Sequence, residues 1–386
     1  MTEMEKIEQI PDETAREFVK TMIKFKPQDL PEEPEKNVWY TYRPKGCVCS
    51  DGEPYYSTMK VGTENKLLIM FCGGGVALDP FSAARPSTLI PQEGKPTFYN
   101  PNTDILGYFH GRSGLADSKR EDNPFKDWSM VVVCYASGDF HCGTNDFSYD
   151  DEELGSGVCH HNGYLIYQAM AEKMKEFVPN PEEIMVTGFS AGGFGTALLT
   201  SDVLERFPEC KKAWCLVDSA FFTYDGWHKT AVNQWGAPGK ISEKLVSNNL
   251  TLDCLLDLHR RYGERVKIAV DCTYRDALLS QMQNYTDGRS FTFDRQGGDR
   301  FQRVLRDTVE KLQKEIPDIA VYIFDKESPE VQVGDLTDHT IIAVDAAYDY
   351  AYQGVKFIDW IRDWISGKPE KIGLELLEKK CVSVEG

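Results

Sequence analysis

The sequence predicts an α/β fold with a mostly parallel central sheet flanked by helices. Short apolar runs alternate with helix-like patterns along the chain, as is typical of parallel strands joined by helical crossovers. The 386 residues, of which 41% are hydrophobic and 27% charged, also supply enough apolar surface for a large core. The runs that we predict as strands are 67–71, 130–134, 184–187, 213–217, 266–270 and 319–324.

The pattern predicts one main domain with additions. Residues 1–60 have an acidic amphipathic start and then a Pro- and Tyr-rich stretch, which we predict to be a lead-in packed on the core. Residues 61–375 form a single domain in this prediction, and residues 376–386 form a C-terminal tail. Connections near 219–260 and 281–300 are too long for simple turns, so we expect cap-like insertions there.

Charge and composition exclude several classes of protein. The chain has 61 acidic and 43 basic residues and a formal net charge of −18, so we expect no binding to nucleic acid. No run approaches the ~18 apolar residues that a membrane span needs, and the acidic start does not resemble a secretory signal. Eleven cysteines without a dense framework favour reduced thiols. We therefore predict a cytoplasmic protein with no membrane partner.

Two groupings suggest a metal site, but neither has the spacing for one. Cys47 and Cys49 form a close pair, yet no second Cys/His pair stands at zinc-ligand spacing. His160 and His161 are adjacent and near acidic residues 150–153, but adjacent side chains of a predicted helix diverge. We predict no metal and no cofactor.

The most specific motif is G-x-S-x-G at residues 188–192, placed between a predicted strand and a predicted helix. Such a sharp turn needs small residues beside the serine, and Gly188 and Gly192 supply them. The turn exposes the serine hydroxyl and frees the next amide to bind an oxyanion. We therefore predict an α/β-hydrolase-like fold with Ser190 as nucleophile. The alternative is an unreactive serine in a glycine-rich turn. A dinucleotide or phosphate loop is set aside, because neither G-x-G-x-x-G nor the lysine-containing P-loop pattern is present.

Three glycines, Gly73 to Gly75, follow the predicted strand 67–71. Hydrolases of this class place one oxyanion donor in such a loop and the other after the nucleophile. Two donors are needed for the charge of a tetrahedral intermediate, and amides of this loop and of Ala191 would supply them. A tight turn without a catalytic role is the alternative.

The general base is sought among the histidines that follow Ser190, because the order in this class is serine, acid, histidine. His259 lies in a helical pattern, and His228 precedes the late strands that should carry the acid. His339 lies in a polar loop after the last predicted strand and before a terminal helix, so we predict it as the base.

The acid that orients His339 is predicted less uniquely. Asp276 follows the strand 266–270 and is ranked first. Asp271, Asp218 and Asp325 also lie at or near strand ends and remain alternatives.

Four blocks in order give the chain a resemblance to the pectin acetylesterase and Notum-like carboxylesterases, over roughly residues 66–367. The blocks are FCGGG at 71–75, YASGDFHCG at 135–143, GFSAGG at 188–193, and DH at 338–339 with GVKFIDW at 354–360. Residues 161–167 also resemble the helix that leads into the nucleophile strand of these enzymes.

The resemblance implies a Ser190, Asp276 and His339 triad, an oxyanion hole at Gly74, Gly75 and Ala191, and Asp139 near the substrate. It implies a serine carboxylic-ester hydrolase that removes acetyl groups from pectin-derived or other acetylated oligosaccharides through an acyl-enzyme. The expected partner is thus a small-molecule or oligosaccharide ester. Alternatives are a short-chain, aryl or fatty-acyl carboxylesterase and a catalytically silent hydrolase-like binding protein.

Overall fold

The computed structural model describes residues 26–88, 95–103, 110–329 and 331–380, with positions 7–9, 13, 16–17 and 20. The amphipathic start predicted for the lead-in lies mostly outside these residues. The strands are β1 Trp39–Tyr42, β2 Ser57–Lys60, β3 Lys66–Phe71, β4 Ser129–Val133, β5 Asn145–Asp151, β6 Gly155–His161, β7 Glu183–Phe189, β8 Lys212–Asp218, β9 Val266–Thr273, β10 Ala320–Phe324, β11 Ala351–Tyr352, β12 Val355–Lys356 and β13 Lys371–Ile372.

The helices cover both faces of the sheet and connect its strands. The α-helices are α1 Pro80–Ala83, α2 Gly163–Phe177, α3 Ala191–Arg206, α4 Trp227–Thr230, α5 Gly239–Ser242, α6 Leu250–Tyr262, α7 Ala277–Gly288, α8 Arg295–Glu315, α9 Ala346–Asp349 and α10 Phe357–Ile365. A π-helical turn spans Ala231–Trp235, and 3-10 turns span His110–Arg112, Gly114–Ala116, Gly263–Arg265 and Leu374–Glu378.

The central sheet within the described residues has nine strands in the order β1-β2-β4-β3-β7-β8-β9-β10-β13. Only the pairings of β1 with β2 and of β2 with β4 are antiparallel, and every later neighbour is parallel. The fold prediction is therefore confirmed. Each of the predicted strands is present, as β3, β4, β7, β8, β9 and β10.

The central strands are continuous apolar runs because helices cover both faces of the sheet. All of β4 is buried, as is β7 after its first residue. Helix α3 is buried from Ala191 to Leu204, since it packs on β3, β7 and β8 and is covered by α6. The G-x-S-x-G motif at the start of α3 therefore lies in a buried part of the molecule.

The described part of residues 1–60, which we predicted as a lead-in packed on the core, contributes two strands. These strands, β1 and β2, belong to the central sheet and form its antiparallel edge. Strands of four residues are too short to show a clear alternation, which is why the pattern did not reveal them. At the other end, Leu376 and Leu377 are buried, so the packed structure also extends into the predicted tail, of which 381–386 lie outside the described residues.

A hairpin that was not predicted contains His160 and His161. Strands β5 and β6 pair antiparallel, and α2 begins only at Gly163, so neither histidine is helical as the sequence suggested. His161 is buried, whereas His160 is partly exposed and contacts Asp146 at 2.6 Å between Nδ1 and Oδ1. The two side chains diverge because successive residues of a strand face opposite sides.

The described residues also bear on the predictions about membrane spans and disulfide bonds. None of their helices combines the length and apolar character that a bilayer crossing requires. The ten cysteines in this part of the chain are buried and in no disulfide.

Candidate active site

Ser190 lies at the turn between β7 and α3 with φ 55° and ψ −126°, a strained conformation for a residue with a side chain. The neighbouring glycines allow this turn. A Cβ on Gly192 would lie 1.9 Å from the carbonyl oxygen of Phe71, and one on Gly188 would lie 2.3 Å from the carbonyl oxygen of Gly192. The turn therefore has the geometry of a nucleophile elbow.

The glycine loop after β3 packs against this serine. A Cβ on Gly73 would lie 2.8 Å from the Cβ of Ser190. Ala191 is the first residue of α3, so its amide has no acceptor within the helix. The amides of Gly74, Gly75 and Ala191 donate no hydrogen bond to another described residue. Gly74, Gly75 and Ala191 line the same cleft as Ser190, so their amides can serve as donors to a ligand there.

His339 contacts Asp276 directly, with 2.6 Å between Nδ1 and Oδ2. The other oxygen of Asp276 accepts from the amide of Leu279 at 2.9 Å, because Asp276 caps the N-terminus of α7. The Nε2 atom of His339 is buried without a hydrogen-bond partner among the described residues. Since His339 and Ser190 line the same cleft, this nitrogen is available for a proton from a group in that cleft.

The environment of His339 favours its positively charged form. Burial by itself lowers the pKa of the imidazole, but the charge and hydrogen bond of Asp276 raise it, and the more distant charges of Asp218 and Asp338 add to that effect. The net result is a pKa above the usual value of 6.5.

The other candidate acids make different contacts. Asp218 accepts from the amides of Ile341 and Ile342, and Asp325 accepts from the hydroxyl of Tyr350. Asp271 is fully buried beside Asp218. Asp276 is thus the one of the four that hydrogen-bonds the imidazole of His339.

Asp139 lies inside the protein and does not line the cleft. Its carboxylate accepts from the Ser137 hydroxyl and from the amides of His141, Gly143 and Gly163. All of its acceptor capacity is used to hold the 137–143 loop and the start of α2, so the structure gives it a role in the scaffold instead of the predicted substrate contact.

The cleft has a volume of about 930 Å³ and largely apolar walls. Both predicted insertions border it, the first through Phe222 and the second through Gln281, Phe291 and Phe293. The other apolar side chains of its lining are Val76, Phe98, Tyr99, Phe140, Phe189, Phe194, Leu278, Leu279 and Met282. Its polar lining includes Ser87, Asn100 and Thr340.

His141 is a part of this site that sequence reasoning left without a role. Its buried Nε2 donates to the carbonyl of Cys72 at 2.9 Å, directly before the glycine loop. Burial lowers the pKa of His141 to about 4, so the ring is neutral at physiological pH. The block 135–143 drew attention to this residue, but its partner is 69 positions away in the chain, and no local pattern reveals such a contact.

Metal ligation finds no support in the arrangement of these side chains. Across the part of the chain that the structure describes, no group of three or more His, Cys, Asp or Glu side chains could hold a metal ion.

Comparisons with known proteins show which family this chain resembles. The family described as Pectinacetylesterase matches residues 35–283, a range that includes Ser190 and Asp276. Pectin acetylesterase 4 of Arabidopsis thaliana is 23% identical over 182 residues, covering 46% of this chain and 41% of the relative. Pectin acetylesterase 11 of the same plant is 23% identical over 186 residues, covering 47% and 44%. The match thus spans less than half the length of these curated relatives.

Proposed function

The chain belongs to the pectinacetylesterase family, and we propose that it is a serine carboxylic-ester hydrolase that releases acetyl groups from acetylated carbohydrate. The observation that carries the proposal is the shared cleft: Ser190 on its elbow and His339, bonded to Asp276, line the same cavity. Nucleophilic acyl transfer requires a serine hydroxyl and a histidine–aspartate pair that face one cleft, so the shared lining supports the proposal.

In the proposed mechanism, the hydroxyl of Ser190 attacks the ester carbonyl carbon while Nε2 of His339 takes its proton. Asp276 holds Nδ1–H and stabilises the imidazolium. Amides of Gly74, Gly75 and Ala191 bind the developing oxyanion. The imidazolium then protonates the leaving alcohol, and an acyl-enzyme remains. Water attacks that ester, again with His339 as base, and releases the acid and the serine.

A second candidate is the hydrolysis of esters with longer acyl or aryl groups. Its support is the cleft itself, because about 930 Å³ lined by phenylalanines is more space than an acetyl group fills. The same walls would also pack against the apolar face of a sugar ring, so acetylated carbohydrate stays the first proposal.

Labelling with a fluorophosphonate tests the proposed nucleophile. We expect covalent modification at Ser190 and none there in Ser190→Ala, whose kcat should fall about 10⁶-fold. Ser87→Ala is the matched control, since this serine lines the same cleft and should leave labelling unchanged. Folded protein that resists labelling at Ser190 would favour a hydrolase-like binding protein.

A hydrolysis panel distinguishes the two candidate substrates. It compares acetylated oligosaccharides, aryl acetates and esters of longer acyl groups by kcat/KM. The first proposal expects the highest value for acetylated carbohydrate. A steady increase of kcat/KM with acyl length would instead support the second candidate and contradict the first.

A further inference from the structure

Two carboxyl groups, those of Asp218 and Asp271, are buried next to the proposed site. They lie on the neighbouring parallel strands β8 and β9, are paired in register, and are each 0% exposed. Side chains in register on adjacent strands face the same side of a sheet. Two ionised carboxylates in such a place would repel each other and would both be desolvated. The burial of this pair is therefore costly unless one of the two carboxyl groups is protonated.

Asp218 contacts both the turn that follows His339 and the backbone of Ser190. Its Oδ2 accepts from the amides of Ile341 and Ile342 at 2.8 and 3.0 Å, shortly after His339 in the chain. Its backbone carbonyl accepts from the amide of Ser190 at 2.9 Å. Thr340, between His339 and Ile341, has φ 65°. This backbone conformation is unfavourable for a β-branched residue and needs support from neighbouring groups. Asp218 provides that support for the turn that carries the imidazole.

The remaining carboxyl oxygens of the pair have no such partners. Oδ1 of Asp218 and both oxygens of Asp271 have no hydrogen-bond partner among the described residues. One proton between them supplies the missing bond, with Asp271 as donor and Oδ1 of Asp218 as acceptor.

The two carboxyl groups differ in how strongly they hold a proton. Burial, followed by the charge of Asp218, raises the pKa of Asp271 well above its usual value. Burial also raises the pKa of Asp218, but the hydrogen bonds from the amides of Ile341 and Ile342 and the charge of His339 oppose that shift. Asp271 is therefore the partner that keeps the proton.

We propose that Asp218 and Asp271 form a positioning pair for the proposed reaction. Asp271 stays protonated and donates to Asp218, which keeps one negative charge. That charge holds the turn after His339 and favours the imidazolium that forms when Ser190 loses its proton. The inference rests on the proposed function, in which His339 is the base.

Other titratable groups among the described residues also face this pair and the imidazole. Tyr322 of β10 is in register with Asp271, and burial raises the pKa of its phenol to about 12, so it is neutral. Asp276 faces His339 from the start of α7, and Asp338 of its own loop is paired with Lys326. Cys272 of β9 lies near Asp218, but burial raises the pKa of its thiol well above the usual value, so it is neutral.

The first test replaces Asp218 by Asn, which keeps an acceptor for the two amides but removes the charge. Asp218 does not line the cleft, so KM should stay close to that of the wild type. Loss of the charge lowers the pKa of His339, so the acid limb of the pH profile of kcat/KM should move to lower pH. An acid limb that does not move would overturn the proposal.

The second test concerns the shared proton and uses infrared spectroscopy, which requires no turnover. Wild-type protein at neutral pH should show the C=O stretch of a buried protonated carboxyl, and Asp271→Asn should lose it. Asp225→Asn, a change at an exposed carboxylate, is the control and should keep the band. Absence of the band in wild type would overturn the pair even if the esterase is active, and its presence would support the pair even if the substrate is wrong.

Kinetics of two Asp271 variants complete the test. Asp271→Asn can still donate to Asp218 and should retain most of kcat. Asp271→Ala leaves the buried charge of Asp218 without that donor, and displacement of the His339 turn should reduce kcat by about 10²-fold. Equal losses in the two variants would contradict the shared proton, and the infrared result stands alone if Asp271→Ala does not fold.

Discussion

At the scale of single residues, the proposed chemistry depends on how buried side chains share protons. Asp276 divides its two oxygens between the start of α7 and the ring of His339, so one carboxylate fixes both the backbone and the base. The pKa of His339 is raised, and the base must be neutral to accept a proton. The proposed activity is therefore lost as the pH falls through that raised pKa.

Replacement of Asp276 by Asn tests this assignment. The amide oxygen can still accept from Leu279, but the carboxylate charge beside Nδ1–H is lost, and kcat should fall about 10⁴-fold with the fold intact. Wild-type kcat/KM should decline on the acid side at a pH above 6.5, the usual pKa of histidine. Asp325→Asn is the control and should keep its activity. A result in which Asp325→Asn loses activity and Asp276→Asn does not would reverse the assignment.

At the scale of elements, the elbow is a contact between β3 and the start of α3. The strand and the helix approach so closely that Gly192 has no room for a side chain, because the nearest atom is the backbone oxygen of Phe71. Backbone atoms in a central strand cannot move aside without breaking the ladder of the sheet. The small residues of the motif are thus required by packing as well as by chemistry.

Gly192→Ala should therefore destabilise the protein. The added Cβ would lie 1.9 Å from the oxygen of Phe71, and overpacking of this kind lowers the free energy of unfolding by about 1–3 kcal/mol or more. Gly288→Ala is the matched control, since a Cβ there meets nothing within 4 Å. Chemical denaturation measures both variants, and equal midpoints for the two would show that the elbow is not tightly packed.

At the scale of the whole molecule, the formal net charge of −18 acts on any charged substrate that approaches the cleft. A galacturonate chain carries one carboxylate per sugar, whereas many other acetylated sugars are neutral. Long-range repulsion should therefore favour short or neutral substrates, because Lys95 is the one lysine or arginine among the described residues that line the cleft.

Salt dependence measures this effect. The Debye length falls from about 30 Å at 10 mM to about 8 Å at 150 mM ionic strength, so added salt should raise kcat/KM for an acetylated galacturonide. A neutral acetylated sugar is the control and should show the same kcat/KM at both concentrations. A decrease with salt for the anionic substrate would indicate local basic groups that attract it.

Patterns of neighbouring residues predicted the parallel strands and the turn at Ser190. The parallel strands are continuous apolar runs, and the elbow is a short motif between a strand and a helix, so both could be read from neighbouring residues. The short edge strands β1 and β2 were missed because four residues show no clear period. The hairpin of β5 and β6 was missed because few of its residues are apolar, although exposure alternates along β5. Asp139 was predicted at the substrate, although its carboxylate is used up within the scaffold.

What the sequence alone determined is the α/β class, the positions of the main strands along the chain and the serine on its turn. The tertiary structure decided which aspartate meets His339, because Asp218, Asp271, Asp276 and Asp325 all lie at or near strand ends and nothing local separates them. It also decided that the cleft is lined by aromatic rings from distant segments, and that Asp218 and Asp271 are neighbours. These contacts join residues far apart in the chain, and only folding brings their side chains together.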